Sequence, residues 1–123
     1  IMFDIDRFGD LNGRYGFQAG DRILKELAAH VSANIRTTDV FARYGGEEFI
    51  IMTPEVGLDG AVRLAEKLRD SISAKEFSNI DENITCSFGV VQFGADWSEE
   101  DLIRFADDAL FRAKGAGRNT ISE

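Results

Sequence analysis

Two short segments place acidic residues where a strand ends, a pattern that can bind a metal ion. In "FDID", Asp4 follows an apolar run that begins at Ile1, and period-two alternation puts Asp4 and Asp6 on one face. In "RYGGEEFI", Glu47 and Glu48 follow two glycines. If adjacent strands bring Asp4 and Glu47 together, they suit a hard divalent cation such as Mg²⁺, which binds few carboxylates, keeps some waters and is completed by substrate phosphates.

The same acids also fit two roles that need no such metal site. Acidic side chains are mostly exposed, so both could lie at solvated strand ends. The segment "DIDRFGDLNGRY" also resembles a calcium-binding loop, with ligand positions at Asp4, Asp6, Asp10 and Asn12. That match fails where Phe8 occupies a ligand position and Tyr15 stands in place of the bidentate Glu.

The two neighbouring glutamates are not equivalent if the glycines form a two-residue hairpin turn. With Gly45 and Gly46 in the turn, Arg43 lies opposite Glu48 and offers that acid a structural partner. Glu47 has no such partner nearby. The pattern therefore predicts that Glu47 needs a cation from elsewhere.

Two further segments carry paired charges beside turns. "AKGAGRN" places Lys114 and Arg118 around glycines, which is typical of a helix C-cap with cations favourable to the helix dipole. In so acidic a chain these cations could also hold phosphates. In "RTTD", Arg36 and Asp39 are typical of a solvated local ion pair.

The elements that must position these residues follow from hydrophobic periodicity. Helical stripes alternate with apolar runs, and Ser98 is an expected N-cap for the last helix. The order of these elements predicts an α/β fold with one sheet covered by helices, in which the hairpin supplies antiparallel pairing. The expected strands are 1–5, 40–44, 47–52 and 84–93, and the expected helices are 20–35, 58–72 and 102–113.

Composition limits the partners of this chain. The 123 residues fit one domain, and 22 acids against 14 Lys and Arg give a net charge of -8 that opposes binding to nucleic acid or anionic lipid. Cys86 is the single cysteine, so no internal disulfide forms, and no apolar run approaches the ~20 residues that span a bilayer. A reducing cytoplasm is the simplest setting. Because the sequence begins inside an apolar run, we expect a fragment of a longer protein.

Together these motifs resemble the GGDEF family of diguanylate cyclases, with "GGEEF" as the common Glu variant of its signature. The matching segments appear in the family's order over nearly the whole chain: "FDIDRF", Asn12, Gly16, Gly20-Asp21, "RYGGEEF", "SFGV" and "ADDALFRAKGAGRN". The resemblance implies an α/β (α+β) fold with a central, mostly antiparallel sheet flanked by helices, of the nucleotide-cyclase and polymerase-palm (ferredoxin-like) type. Residues 1–123 would form one GGDEF domain that lacks its first helical segment.

The resemblance also implies condensation of two GTP into cyclic di-GMP, with two Mg²⁺ or Mn²⁺ ions and a homodimer for catalysis. Asp4, Glu47 and the carbonyl of Ile5 would bind metal, and Glu48 would be a further catalytic acid. The residues expected to contact substrate are Arg7, Phe8, Gly9, Asn12, Asp21, Lys114 and Arg118. Among them, Asn12 and Asp21 would read guanine, and the others would contact phosphates.

Regulation and departures from the family pattern complete these expectations. Arg36 and Asp39 match an RxxD inhibitory site for cyclic di-GMP, and an upstream sensor or receiver domain would control activity. Gly9, Gly13 and Phe17 replace the Lys, Asp and His that the family commonly has near the nucleotide. The alternative function is a weak or inactive domain that acts as a receptor for GTP or cyclic di-GMP.

Overall fold

The computed structural model describes residues 1–123 and contains one five-stranded sheet with four helices. The sheet order is β2-β3-β1-β4-β5, and all neighbours are antiparallel except the parallel pair β4 and β5. The expected mostly antiparallel sheet flanked by helices is therefore confirmed. The strands are β1 (Met2–Ile5), β2 (Val40–Gly45), β3 (Glu48–Met52), β4 (Cys86–Gly89) and β5 (Ile121–Ser122). The helices are α1 (Phe8–Tyr15), α2 (Phe17–Ser32), α3 (Leu58–Ala74) and α4 (Glu99–Gly115).

The central strand β1 is buried on both faces, which explains its apolar sequence. On one face, the ring of Phe3 stacks between Phe49 and Phe88, with centroid distances of 5.4 and 5.0 Å, inside the core shared with α2 and α3. On the other face, Met2 packs with Leu110 of α4. Since side chains alternate along a strand, Asp4 lies on the α4 face.

Helix α4 approaches the sheet closely because β4 carries Gly89, which pairs with Met2. A Cβ on Gly89 would overlap the backbone nitrogen of Leu110 and lie 2.5 Å from the carbonyl oxygen of Ala106. From Leu110 to Lys114 the helix rises about 6 Å, and from Met2 to Asp4 the strand advances about 7 Å. This packing brings Lys114 over Asp4.

The first two helices differ from the sequence prediction. Helix α1 was not predicted, because Leu11 is its only buried residue and no apolar stripe marks it. Helix α2 begins at Phe17, directly after Gly16 with φ 87°, and not near residue 20. It ends at Ser32, and Ile35 packs against the core from the segment that follows.

The predicted register of the hairpin between β2 and β3 was wrong. Arg43 pairs with Phe49 and Gly45 with Glu48, and the register shifts between the two positions. The irregularity breaks the simple alternation on which the Arg43 and Glu48 pair depended. Arg43 instead donates from Nε to the carbonyl oxygen of Gly46 at 2.7 Å.

The C-terminal part of the chain shortens one predicted strand and adds another. The strand expected over 84–93 is limited to Cys86–Gly89, and the two-residue β5 was too short to predict. The N-cap is confirmed, because Ser98 Oγ accepts from the Asp101 N–H at 3.1 Å within a capping box. None of the helices has both the length and the apolar character needed to cross a bilayer.

Candidate active site

Asp4 is a buried carboxylate with an incomplete set of partners. The residue is 2% exposed, its Oδ2 contacts the ammonium of Lys114, and its buried Oδ1 has no hydrogen-bond partner. Burial raises the pKa of Asp4 to about 6, although the hydrogen bond and charge of Lys114 act in the opposite direction. At pH 7 and above the site is therefore a buried anion with one oxygen free to take a cation.

Both glutamates of the "GGEEF" segment lie near this anion. Glu48 is the first residue of β3 and pairs directly with Asp4 across the sheet. Glu47 is half-buried in the hairpin turn, and its charge contributes to the raised pKa of Asp4. Ile5 follows Asp4 at the end of β1.

Metal binding at this position would need more than protein carboxylates. No group of three or more His, Cys, Asp or Glu side chains is arranged to hold a metal ion. The expected set has two carboxylates, Asp4 and Glu47, with a backbone carbonyl, and Mg²⁺ sites of this kind are completed by waters and substrate phosphates. The unpartnered Asp4 oxygen and the adjacent Lys114 cation both fit a position that favours positive charge.

Asp6 has a different role from Asp4, which sequence reasoning missed. Its carboxylate accepts hydrogen bonds from Thr85 Oγ1 at 2.7 Å, Ser87 Oγ at 2.6 Å and the Asn119 N–H at 3.0 Å. These bonds tie the end of β1 to β4 and to the loop that follows α4. The same loop carries Arg118. The partners are 79 to 113 residues distant in sequence, so no local pattern indicates them.

A polar cavity of about 270 Å³ lies beside the hydrogen bonds of Asp6. Arg7 and Arg118 both line it, together with Gly117 and Asn119. Arg7, Arg118 and Asn119 adopt left-handed backbone angles, with φ of 53°, 65° and 47°. Such conformations in non-glycine residues cost free energy and concentrate at functional sites. The start of α1, at Phe8 and Gly9, has no side-chain cap for its backbone N–H groups.

Asn12 and Asp21, the expected guanine-reading residues, lie on two packed helices. The Oδ1 atom of Asn12 is buried without a hydrogen-bond partner. Gly20 permits this arrangement, because a Cβ there would overlap Asn12 Oδ1 and lie 3.2 Å from the Phe8 ring. Asp21 is exposed on the next position of α2. The unsatisfied amide oxygen marks a place where a ligand donor would be favourable.

The RxxD segment forms a fixed local pair at the other end of the hairpin. Arg36 donates to Asp39 from its guanidinium and from its backbone N–H, both at 2.9 Å. The Asp39 side chain is 1% exposed, whereas Arg36 is 56% exposed. Burial alone would raise the pKa of Asp39, but the bonds from Arg36 outweigh it and lower the pKa. Asp39 thus holds an Arg whose guanidinium still faces solvent.

A second cavity, of about 530 Å³, is separate from the charged residues around Asp4. It lies among the end of β3 and the starts of α3 and α4, and 13 of its 19 lining residues are hydrophobic. No Lys or Arg lines it. It is therefore unsuited to a triphosphate, and the charged groups around Asp4 are the candidate site.

Comparison with known proteins assigns the chain to a family. The family model described as "Diguanylate cyclase, GGDEF domain" matches residues 1–120, and the chain belongs to this family. It is 39% identical over 122 residues to "Diguanylate cyclase DgcP" of Pseudomonas aeruginosa, covering 98% of this chain and 18% of that protein. It is 36% identical over 126 residues to "Response regulator PleD" of Caulobacter vibrioides, covering 98% and 28%. The chain thus spans less than a third of the length of these two curated relatives.

Solved structures show the same fold. The active GGEEF domain of a diguanylate cyclase from Vibrio cholerae superposes with a TM-score of 0.88 at 32% identity, covering 98% of this chain and 78% of that one. The GGDEF domain of DgcB from Caulobacter crescentus, solved in complex with c-di-GMP, gives 0.89 at 28% identity, covering 98% and 74%. The resemblance seen in the sequence motifs is confirmed at the level of family and fold.

Proposed function

We propose that this chain is the catalytic domain of a diguanylate cyclase, which condenses two GTP into cyclic di-GMP and two pyrophosphates. The observation that carries the proposal is Asp4, a buried acid with an unpartnered oxygen. It lies beside the glutamates of a GGEEF segment and beneath Lys114. Membership of the GGDEF family supports this chemistry.

In this reaction the 3′-oxygen of each GTP forms a bond to the α-phosphorus of the other GTP. The bond from that phosphorus to its bridging oxygen breaks, pyrophosphate leaves, and the hydroxyl proton passes to solvent. Asp4, Glu47 and the carbonyl of Ile5 would hold divalent metal, with Mg²⁺ or Mn²⁺ as the expected ions and two as the expected number. When bound, the metal lowers the cost of deprotonating the hydroxyl and stabilises charge on the attacked phosphate.

The other residues bind and orient the nucleotide, so that positioning supplies much of the rate. Asn12 and Asp21 read the guanine edge. Lys114 and Arg118 hold the terminal phosphates, together with the backbone N–H groups of residues 7–9 at the start of α1. The uncapped start of that helix supports the last assignment, because unpaired N–H groups at a helix N-terminus favour anions.

Each domain holds one GTP, so the two hydroxyls meet the two α-phosphates only when two domains face one another. The active species is therefore a homodimer, and an upstream sensor or receiver domain would control its formation. Cyclic di-GMP binds at Arg36 and Asp39 as an inhibitor. The exposed guanidinium of Arg36, anchored by Asp39, supports this role, since Arg can stack on guanine and fork to phosphate.

The reaction is tested by incubating the purified protein with GTP and Mg²⁺ or Mn²⁺ and measuring pyrophosphate and cyclic di-GMP. Asp4→Asn and Glu47→Gln should abolish product, whereas Glu66→Gln, at an exposed position on α3, should leave it unchanged. A folded, dimeric protein that binds GTP but forms no product would refute the enzyme and favour the receptor function.

The inhibitory site is tested separately by calorimetry with cyclic di-GMP. Arg36→Ala should weaken binding, whereas Arg63→Ala, which removes an exposed Arg from α3, should not. Equal binding by the wild type and Arg36→Ala would remove Arg36 from the site.

A further inference from the structure

Helix α1 carries much of the proposed nucleotide site but contributes little to the core. Residues 7–9 stand at its start, and Asn12 begins its second turn. Leu11 is its only buried residue. Segments that bury few apolar side chains are the ones that open most readily in a folded protein. The contacts that hold α1 in place therefore bear directly on the site.

The two sides of α1 are held in different ways. On one side Asn12 lies against Gly20 of α2, where a Cβ would overlap its amide oxygen. Asp10 and Arg14 line the polar cavity of about 270 Å³. Each stands two residues from Asn12, so by the 3.6-residue repeat each points about 160° away from it. On this cavity side, α1 is tied through Glu82 to the segment that precedes β4.

Glu82 holds the end of α1 by three hydrogen bonds. Arg14 donates from Nε to Oε2 at 2.9 Å and from Nη2 to Oε1 at 2.5 Å, and the Tyr15 hydroxyl donates to Oε2 at 3.0 Å. The hydrogen bond from Arg14 is the main cause that lowers the pKa of Glu82, so this acid is ionised at neutral pH. Exposed ion pairs usually contribute little, but a bidentate pair within a network is the exception.

The segment that presents Glu82 is itself fixed to the core. Ile84 is 1% exposed, and Ile80 packs against the same core cluster. Earlier in this segment, the N–H and Oγ of Ser78 donate to Glu26 of α2 at 3.2 and 2.7 Å. Because the segment is anchored on both sides of Glu82, its carboxylate can fix the position of α1.

We propose that Glu82 is a positioning residue, which holds α1 in the orientation that the nucleotide requires. The inference rests on the proposed function, in which α1 supplies Asn12 and the N–H groups of residues 7–9. Without the bonds to Glu82, α1 samples other positions, and nucleotide binding must restore the competent one. From the usual contribution of exposed ion pairs, we expect Glu82→Gln to weaken nucleotide binding by about 2- to 5-fold.

The sign of this effect separates positioning from charge. Glu82 lines the same cavity as Arg118, which is expected to hold phosphate. Removing this carboxylate and releasing Arg14 would, by charge alone, strengthen the binding of an anion. Calorimetry with Mg²⁺ and 3′-deoxy-GTP, which cannot react because it has no 3′-hydroxyl, should instead show weaker binding. Glu76→Gln is the matched control, because it removes an exposed acid from the same segment between α3 and β4, and it should bind like wild type.

Two further measurements distinguish positioning from a loss of folded protein. Hydrogen exchange of the α1 amides should become faster in Glu82→Gln, while exchange in α3 and α4 stays at the wild-type rate. In the cyclase assay, KM for GTP should rise and kcat should stay the same, because saturating nucleotide restores the position of α1. Unfolding of part of the sample would lower kcat and leave KM unchanged.

A double variant identifies the partner of Glu82. Arg14→Gln should weaken binding, and combining it with Glu82→Gln should weaken binding no further, because both substitutions break the same contact. Unchanged or tighter binding of 3′-deoxy-GTP by Glu82→Gln would overturn the positioning role alone. So would α1 exchange that remains at the wild-type rate. Failure of the wild type itself to bind 3′-deoxy-GTP would overturn the proposed function as well.

Discussion

Lys114 contacts Asp4 directly, and this contact predicts opposite effects of one substitution on two ligands. A divalent cation that binds Asp4 through Oδ2 must displace the ammonium, and one that binds through the unpartnered Oδ1 is repelled by it, whereas the triphosphate of GTP would attract the ammonium. Lys114→Met keeps most of the aliphatic stem and removes the charge. We therefore expect tighter binding of metal alone and weaker binding of nucleotide.

The size of the gain in metal affinity follows from the hydrogen bond to Lys114 that a metal at Oδ2 must break. Hydrogen bonds to charged groups contribute about 1.5–3 kcal/mol, which corresponds to roughly 10- to 150-fold in affinity. Removing Lys114 also raises the pKa of Asp4 further above 6, because the Lys114 hydrogen bond and charge lower it. Protons then compete with the metal. The gain in affinity should therefore be present at pH 8.5, where Asp4 is ionised, and should diminish towards pH 6.

Titration of Mn²⁺ followed by electron paramagnetic resonance measures the affinity for metal alone, and calorimetry with 3′-deoxy-GTP measures the affinity for nucleotide. Lys67→Met, at an exposed position on α3, is the control and should change neither. If Lys114→Met binds Mn²⁺ no more tightly than wild type at pH 8.5, Lys114 does not compete for the metal position. If it binds 3′-deoxy-GTP as well as wild type does, Lys114 does not hold the phosphates.

Three further substitutions test how the fold supports the site. In urea denaturation, Gly89→Ala should lower the free energy of unfolding by about 1–3 kcal/mol or more, because the added Cβ meets the rigid backbone of α4. Gly45→Ala is the control and should have little effect, because a Cβ there has open space. Ser98→Ala should cost about 0.5–2 kcal/mol by removing the cap of α4, and an unchanged denaturation midpoint would contradict this. Asp6→Ala should weaken tripolyphosphate binding in calorimetry, because the hydrogen bond from the Asn119 N–H to Asp6 holds the loop that carries Arg118. If Asp6→Ala binds tripolyphosphate as tightly as wild type does, Asp6 does not position Arg118 for phosphate.

The elements with long apolar stripes could be predicted from the sequence, and those without could not. Helices α3 and α4 bury side chains at regular helical spacing, and α4 also carries the expected cap at Ser98. Helix α1 buries Leu11 alone, so its sequence has no apolar stripe from which hydrophobic periodicity could predict a helix. The hairpin register failed because an irregularity between Arg43 and Gly45 shifts the pairing, and residue types alone did not indicate it.

Parts of the candidate site could be found in the same way. The acid at Asp4 stands out because it interrupts a strand that is otherwise apolar, and Glu47 because it has no local partner. The roles of Asp6 and Gly89 depend on partners from distant parts of the chain. These supporting contacts exist only after the sheet and α4 have assembled, which is why residue patterns do not reveal them.

The burial of Asp4 explains why the candidate site and the core cannot be separated. A carboxylate in a strand buried on both faces carries a desolvation cost that an apolar residue would avoid, so its presence favours function over stability. The cost is reduced by Lys114, which reaches Asp4 because α4 packs directly on the backbone of β4 at Gly89. The position of the Lys114 ammonium above Asp4 therefore depends on the absence of a side chain at Gly89. A substitution that moves α4 outward would therefore weaken both the packing of the core and the contact between Lys114 and Asp4.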